Sequence, residues 1–339
     1  MTEKKCSKAV RVKAASRLSY TLIDLNGANG RRNGMASMSL ANPYFEVKIS
    51  HSDETSINTD KESEIHKQDI SDFIDKMQTK WELSPVKVDI MQGLPAHSGF
   101  GSKTTSLLAI GKAYCKLFDV DISTGDLARI ADRAGTSGAS VNLIDRGGYL
   151  VDGGHINPAD FNDDPQRYLL PSRYAKHTLT PPVLINLPFP DWPILIIVTK
   201  GLELFGKPEL DWFKATLPIP EIEAKNTAHH VLMNLSTAIA ENDYRAYCKA
   251  LNILTYEHHY KKEQIKIQPQ GVKKMFEDAK EASEIDAICI SVTGPMCYAF
   301  TREPEKALAW CELFKQQGVI ENYWFSHAQN QPCDVEIIT

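Results

Sequence analysis

The sequence predicts an α+β fold in two lobes, and three observations carry that expectation. A chain of 339 residues, 42% hydrophobic and 24% charged, has globular composition and is too long for one ordinary core. Segments of period two and of period 3.6 succeed one another without a regular strand–helix–strand rhythm, which disfavours a doubly wound sheet. No internal repeat or low-complexity tract points to a solenoid. Two lobes are expected, residues 1–182 and 183–339.

Val10 to Ile23 alternates apolar and polar residues and predicts strands broken near Ala15-Ser16. Asn26-Gly27-Ala28-Asn29-Gly30 and Asn33-Gly34 predict turns, because Asn and Gly tolerate positive φ. Alternation returns over Phe45–Ser50. A polar stretch, 52–68, precedes a helix bearing Ile70, Phe73, Ile74 and Met77. Val86–Met91 reads as a strand running into a glycine turn, after which Leu107, Leu108, Ile110, Tyr114, Leu117 and Phe118 share one helical face. A second helix is expected over 123–134, capped by Ser123 or Thr124. A strand follows at 148–151, then a long irregular connection from 157 to 182 and a buried strand at 193–199. Helices are expected near 224–240, 243–259, 269–282 and 304–317, and strands near 285–291, 320–327 and 333–338.

Composition removes several function classes. The net charge is −5 and no basic stripe is present, which argues against nucleic acid and anionic membrane as partners. The longest apolar run, 193–198, is too short to span a bilayer, and residues 1–13 lack an apolar secretion segment. Seven scattered cysteines without a CxxC pair suit a reducing compartment, so a cytoplasmic protein is expected. Oligomeric base rates suggest a homodimer.

The densest chemical signal is Pro95-Ala96-His97-Ser98-Gly99-Phe100-Gly101-Ser102-Lys103-Thr104. Two glycines around one residue let backbone N–H groups converge, and the helix that follows adds partial positive charge. Hydroxyls at Ser102 and Thr104 and the Lys103 charge complete the equipment for a di- or triphosphate; a turn that merely caps a helix is the alternative. It is neither a Walker loop nor a dinucleotide fingerprint. Arg17 lies in an otherwise apolar strand, where an unpaired charge is costly, and suits bidentate anion binding or an ion pair with Asp24. Asp24 and Asn26 flank a turn, and serve either turn chemistry or a metal and ribose site. Arg146, beside Gly147-Gly148, would reach an anion or decorate a turn. His229-His230 and His258-His259 are adjacent pairs, and neighbours on a helix point about 100° apart, which disfavours one shared metal.

The Pro95–Ser102 segment resembles the PxxxGLGSS loop of the GHMP kinase superfamily, with Phe100 in place of Leu. Val12–Leu18 is similar to the superfamily's N-terminal segment, and Thr293-Gly294-Pro295 to its C-terminal glycine loop. A narrower resemblance is to the β-ribofuranosylaminobenzene 5′-phosphate synthase family. It rests on Ser16-Arg17-Leu18-Ser19-Tyr20-Thr21-Leu22-Ile23-Asp24-Leu25-Asn26-Gly27, on Gly148-Tyr149-Leu150-Val151-Asp152-Gly153-Gly154-His155, on Phe189-Pro190-Asp191-Trp192 and on Ser291–Pro295, in the family's order.

The resemblance implies a two-lobed GHMP-kinase-like fold with an N-terminal ribosomal-S5-like α/β lobe and a ferredoxin-like α+β C-terminal lobe. It implies a phosphorylated small-molecule substrate, phosphoribosyl pyrophosphate, condensed with an aromatic acid (4-amino- or 4-hydroxybenzoate) with loss of CO2 and pyrophosphate. It further implies Mg2+ and a place in pterin cofactor biosynthesis. Kinases of the superfamily carry a catalytic aspartate in an SGxD segment; here Ser137-Gly138-Ala139-Ser140 stands there, without the carboxylate. Loss of a general base costs on the order of 10²–10⁴-fold in rate, which disfavours phosphoryl transfer. Ser19, Lys103-Thr104-Thr105 and Val292-Thr293 depart from the synthase pattern. The expected site is therefore Arg17 and Asp24 as catalytic residues, Pro95, His97, Gly99, Gly101, Ser102, Lys103 and Thr104 around phosphate, and Asn26, Ser137, Gly138, Ser140, Arg146, Asp152 and Gly294 around substrate. An ATP-dependent small-molecule kinase and a non-catalytic ligand-binding relative stand as alternatives.

Overall fold

The computed structural model describes residues 8–96, 98–133, 138–156, 179–202, 204, 206–292 and 294–338. Strands β1 (Ala9–Asp24), β2 (Arg31–His51) and β3 (Ser56–Asn58) precede helix α1 (Lys67–Trp81) and β4 (Val86–Gln92). Helices α2 (Ser102–Leu117), α3 (Thr124–Ile130) and α4 (Ala139–Leu143) follow, then β5 (Tyr149–Asp152), β6 (His155–Ile156), β7 (Val183–Leu187) and β8 (Ile194–Thr199). The helical stretch comprises α5 (Lys207–Thr216), α6 (Glu221–His230), α7 (Ser236–Ala240), α8 (Tyr244–Tyr256), α9 (His259–Lys266) and α10 (Gln270–Glu281). Strands β9 (Ala287–Ile290) and β10 (Met296–Phe300), helix α11 (Pro304–Gln316), β11 (Ile320–Ser326) and β12 (Asp334–Ile338) complete the chain.

One sheet runs β12-β1-β2-β4-β3, with β5 and β6 also pairing β2 and with β7 on β5; the other is β11-β8-β10-β9. The break expected near Ala15-Ser16 is a register jump, from Ala15↔Tyr44 to Ser16↔Leu40. Inward residues before it (Val10, Val12, Ala14) join a core with α1 and α2, whereas Leu18 and Tyr20 join a second core between the two sheets. A bulge that bends a strand in this way lets one element serve two cores. A third core lies between the four-stranded sheet and α10 and α11.

Several boundaries differ from the sequence reading. Asn33-Gly34 is no chain reversal: both residues have positive φ (60° and 70°) but sit within β2, where they kink it. β7 and β12 pair in the first sheet, so the division at residue 182 does not follow the sheets. Helices α5 and α9 and strand β10 were unmarked by periodicity. The expected 224–240 helix starts earlier and passes through a π-helical turn, Val231–Leu235, where the Ser236 hydroxyl donates to the Val231 carbonyl at 2.7 Å. Ser123 caps α3 as expected, accepting from the Asp126 amide. Most of the irregular connection from 157 to 182 lies outside the described residues.

Candidate active site

Gly99 and Gly101 have φ of +96° and +76°, and Gly101 is the N-cap of α2, with no side chain to occupy the first-turn amides. A Cβ at Gly101 would lie 2.7 Å from the Ser140 hydroxyl and 2.9 Å from Cγ and Nε of Arg17. Glycine there allows strand β1 and helix α4 to close on the start of α2. Arg17 is held twice in this corner: its amide donates to the Phe100 carbonyl at 3.1 Å and its Nε to the Ser140 hydroxyl at 3.2 Å. Its Nη1 is enclosed and finds no hydrogen-bond partner among the described residues. Burial, then the nearby Arg133 charge, lowers the Arg17 pKa to about 10. Arg133, just beyond α3, donates from Nε to the Thr104 hydroxyl at 2.8 Å, and burial depresses its pKa also. Glu209 on α5 acts on both guanidiniums in the opposite sense. Asp69 and Asp132 also act on Arg133, but each is paired with a lysine, Lys103 and Lys76. The two guanidiniums against Glu209 therefore leave an excess of positive charge beside the uncapped α2 amides, which favours a multiply charged anion.

The two glycine segments are tied together by one side chain. The Ser291 hydroxyl donates to the Gly99 carbonyl at 3.3 Å and accepts from the Ser19 amide at 3.1 Å. Gly294 is buried in the same β9–β10 turn. Helix α9 lies alongside: the buried Lys261 ammonium donates to the Ile290 carbonyl at 2.5 Å, and Gln264 donates to the Val292 carbonyl at 2.5 Å. Burial lowers the Lys261 pKa. Tyr260, on the same helix, is 5% exposed, and its hydroxyl has no hydrogen-bond partner among the described residues.

The structure thus brings together Arg17, Gly99, Gly101, Thr104, Ser140 and Gly294, with Pro95 half-buried in the loop that leads in. Other expected residues sit elsewhere. Lys103 pairs with Asp69 on α1 at 2.7 Å, because the first turn of α2 points this side chain outward. Ser102 contacts the buried His66 ring at 3.3 Å. Asp24 Oδ1 accepts from the Asn26 and Gly27 amides at 2.9 and 2.8 Å, and Asn26 donates to the Ile219 carbonyl at 2.6 Å, so both shape the β1–β2 turn. Asp24 is seven residues beyond Arg17 on the same strand, roughly 23 Å at about 3.3 Å per residue, and the ion pair with Arg17 is not formed. Arg146 is exposed in the turn after α4, away from the loop. Asp152 is fully buried; desolvation raises its pKa to about 7 against the pull of the Gly154, Gly138 and Met35 amides. It thereby braces the start of α4 rather than facing solvent. His97 and Ser137 lie outside the described residues.

Sequence reasoning missed Arg133, Glu209, Tyr260 and Lys261. None carries a local signal, since each acquires its role through contacts made by distant elements. The contact made among the histidines of 229–230 and 258–259 does not follow the adjacent pairs. Instead His230 and His258 meet across helices, with ring centroids 4.8 Å apart, bonded to the Ala250 carbonyl and the Thr227 hydroxyl.

Residues 68–144 match the GHMP kinases N terminal domain. Similar solved structures include homoserine kinase from Cytophaga hutchinsonii (TM-score 0.66, 17% identity, covering 99% of this chain and 100% of that one). Another is L. major mevalonate kinase in complex with R-mevalonate (TM-score 0.65, 11% identity, 95% and 96%). Both establish the fold alone. The beta-ribofuranosylphenol 5'-phosphate synthase of Archaeoglobus fulgidus is 29% identical over 332 residues, 97% of this chain and 100% of the relative. That of Methanocaldococcus jannaschii is 30% identical over 330 residues, 94% and 98%. With identity sustained from end to end, on the fold and glycine loop just described, the chain belongs to the beta-ribofuranosylphenol 5'-phosphate synthase family, within the GHMP kinase fold.

Proposed function

We propose that this enzyme is a decarboxylating pentosyl transferase that joins C1 of phosphoribosyl pyrophosphate to the ring of 4-hydroxybenzoate, giving β-ribofuranosylphenol 5′-phosphate. The phenol in the relatives' name favours the hydroxy over the amino acid as acceptor. The observation that carries the reading is the Arg17–Ser140 contact beside Gly101. Where a kinase of this fold would place a carboxylate to deprotonate a hydroxyl, this site has a hydroxyl already engaged by a guanidinium. A cationic corner in which a hydroxyl stands at that position suits departure of an anion more than activation of a nucleophile.

In this scheme the C1–oxygen bond breaks with its electron pair leaving on pyrophosphate. The α2 amides, Arg17 and Arg133 stabilise the departing charge. The ring carbon bearing the carboxylate forms the bond to C1, and the carbon–carboxylate bond then breaks, its electron pair restoring the aromatic ring as CO2 leaves. Mg2+ needs only one or two protein carboxylates beside phosphate oxygens. Glu209, within electrostatic reach of both guanidiniums, fits that requirement, although no cluster of three metal-ligating side chains occurs among the described residues. When bound, the ion would neutralise pyrophosphate charge.

The test is release of carboxyl-labelled CO2 from 4-hydroxybenzoate with phosphoribosyl pyrophosphate and Mg2+. Release that requires the pyrophosphate donor, is slower with 4-aminobenzoate and is not supported by ATP is expected. No release from either acid, with ATP–Mg2+ alone raising the unfolding temperature, would move the assignment to a kinase.

A further inference from the structure

Arg17 Nη1, the Tyr260 hydroxyl and Trp212 Nε1 are enclosed donors that find no hydrogen-bond partner among the described residues. Buried polar groups are nearly always paired, so each orphan needs a physical explanation. They come from three elements, β1, α9 and α5, yet they share one neighbourhood. The Tyr260 and Trp212 ring centroids are 6.0 Å apart with planes tilted by 44°. Arg17 and Tyr260 are close enough for each to perturb the other's ionisation, and Glu209, three residues before Trp212, perturbs both. The surroundings are apolar: Tyr260 packs in a cluster with Leu22, Phe213, Leu217 and Ala139, the last adjoining the Ser140 that holds Arg17.

Arginine and indole nitrogens only donate, and the phenol can donate as well, so the set offers three donors to a ligand. Such a set, beside two tilted rings and an apolar wall, fits a flat apolar body with acceptor oxygens. We infer that Trp212, Tyr260 and Arg17 Nη1 form the subsite for an aromatic acid, whose ring lies against the Trp212–Tyr260 pair and whose oxygens take up the orphaned donors. This rests on the reading proposed above and adds to it the residues that select the acceptor. Tyr260 and Trp212 are specificity-determining here, while Arg17 also serves the pyrophosphate side, at the junction of the two substrates.

The test uses the full-length enzyme and the variants Tyr260→Phe and Trp212→Phe, with 4-hydroxybenzoate as probe. Because the Tyr260 hydroxyl bonds to none of the described residues, Tyr260→Phe should unfold at an unchanged or higher temperature. A lost hydrogen bond to a charged group corresponds to roughly a 10- to 100-fold loss of affinity. We expect the KM and calorimetric Kd for 4-hydroxybenzoate to rise by that order in Tyr260→Phe, with KM for phosphoribosyl pyrophosphate unmoved; a merely structural tyrosine would shift both or neither. Trp212→Phe keeps an aromatic surface and loses the donor, so it should weaken the acid in the same selective way. Wild-type CO2 release with unchanged acid KM in both variants would overturn the subsite and leave the function standing. Absence of acid binding and turnover in the wild type would overturn both.

Discussion

Gly101 decides how closely the site can assemble. Its φ of +76° lies where a Cβ is strained, and its open side is already filled by Arg17 and Ser140. Gly101→Ala therefore combines a backbone penalty of about 1 kcal/mol with forced movement of the guanidinium. We expect a total destabilisation of about 1–3 kcal/mol by denaturant unfolding, together with at least a ~10-fold weaker calorimetric affinity for pyrophosphate. Unchanged pyrophosphate binding would remove the loop from the anion site. This residue was legible in the sequence because a demand for positive φ next to a helix start is written locally, as glycine. Arg17 was legible because a charge in an apolar strand must be accounted for. Lys103 was misjudged for the complementary reason: composition shows a charge beside the loop but not its direction, and the helix turns it to Asp69. Tyr260 and Arg133 look like ordinary surface-helix residues until distant segments close on them.

At the level of elements, the site is a junction of β1, the start of α2, the β9–β10 turn and α9. Ser291 joins three of these through one hydroxyl, fully buried. Ser291→Ala would leave the Ser19 amide and the Gly99 carbonyl short of a partner, at a cost of about 1–3 kcal/mol. The expected result is a lower unfolding midpoint together with a weaker affinity for pyrophosphate, since Gly99 loses its tether. A variant that loses stability alone would show the tether to be structural only. Elements with a strong amphipathic period, such as α1, α8 and α10, were readable, as was the alternation of β1 with its break. β10 was not, because Met296–Phe300 is buried on both faces and its uninterrupted apolar run has no alternation. α9 was not, because its sequence is polar nearly all round while burying Tyr260, Lys261 and Gln264 against the glycine segments.

For the molecule as a whole, β12 returning to pair β1 and β7 joining β5 interleave the two halves, so unfolding should report on one cooperative unit. Its dependence on pH then follows from two buried groups with opposite leanings. Asp152 has a pKa raised from 3.8 to about 7, so the folded state holds its proton more tightly than the unfolded chain. That contribution is favourable below about pH 4 and is lost as pH rises towards 7. His258 is the reverse: burial and the neighbouring His230 lower its pKa from 6.5 to about 4. The unfolded state binds the extra proton, so this contribution is present above about pH 6.5 and is lost as pH falls towards 4. Between those limits the two slopes oppose each other. The urea midpoint of the wild type is expected to change little from about pH 4.5 to 6.5. Asp152→Asn removes one slope, so its midpoint should climb with pH across that window, whereas His258→Asn should show a midpoint that falls. Parallel profiles for all three proteins would mean that neither group titrates differently in the folded and unfolded states.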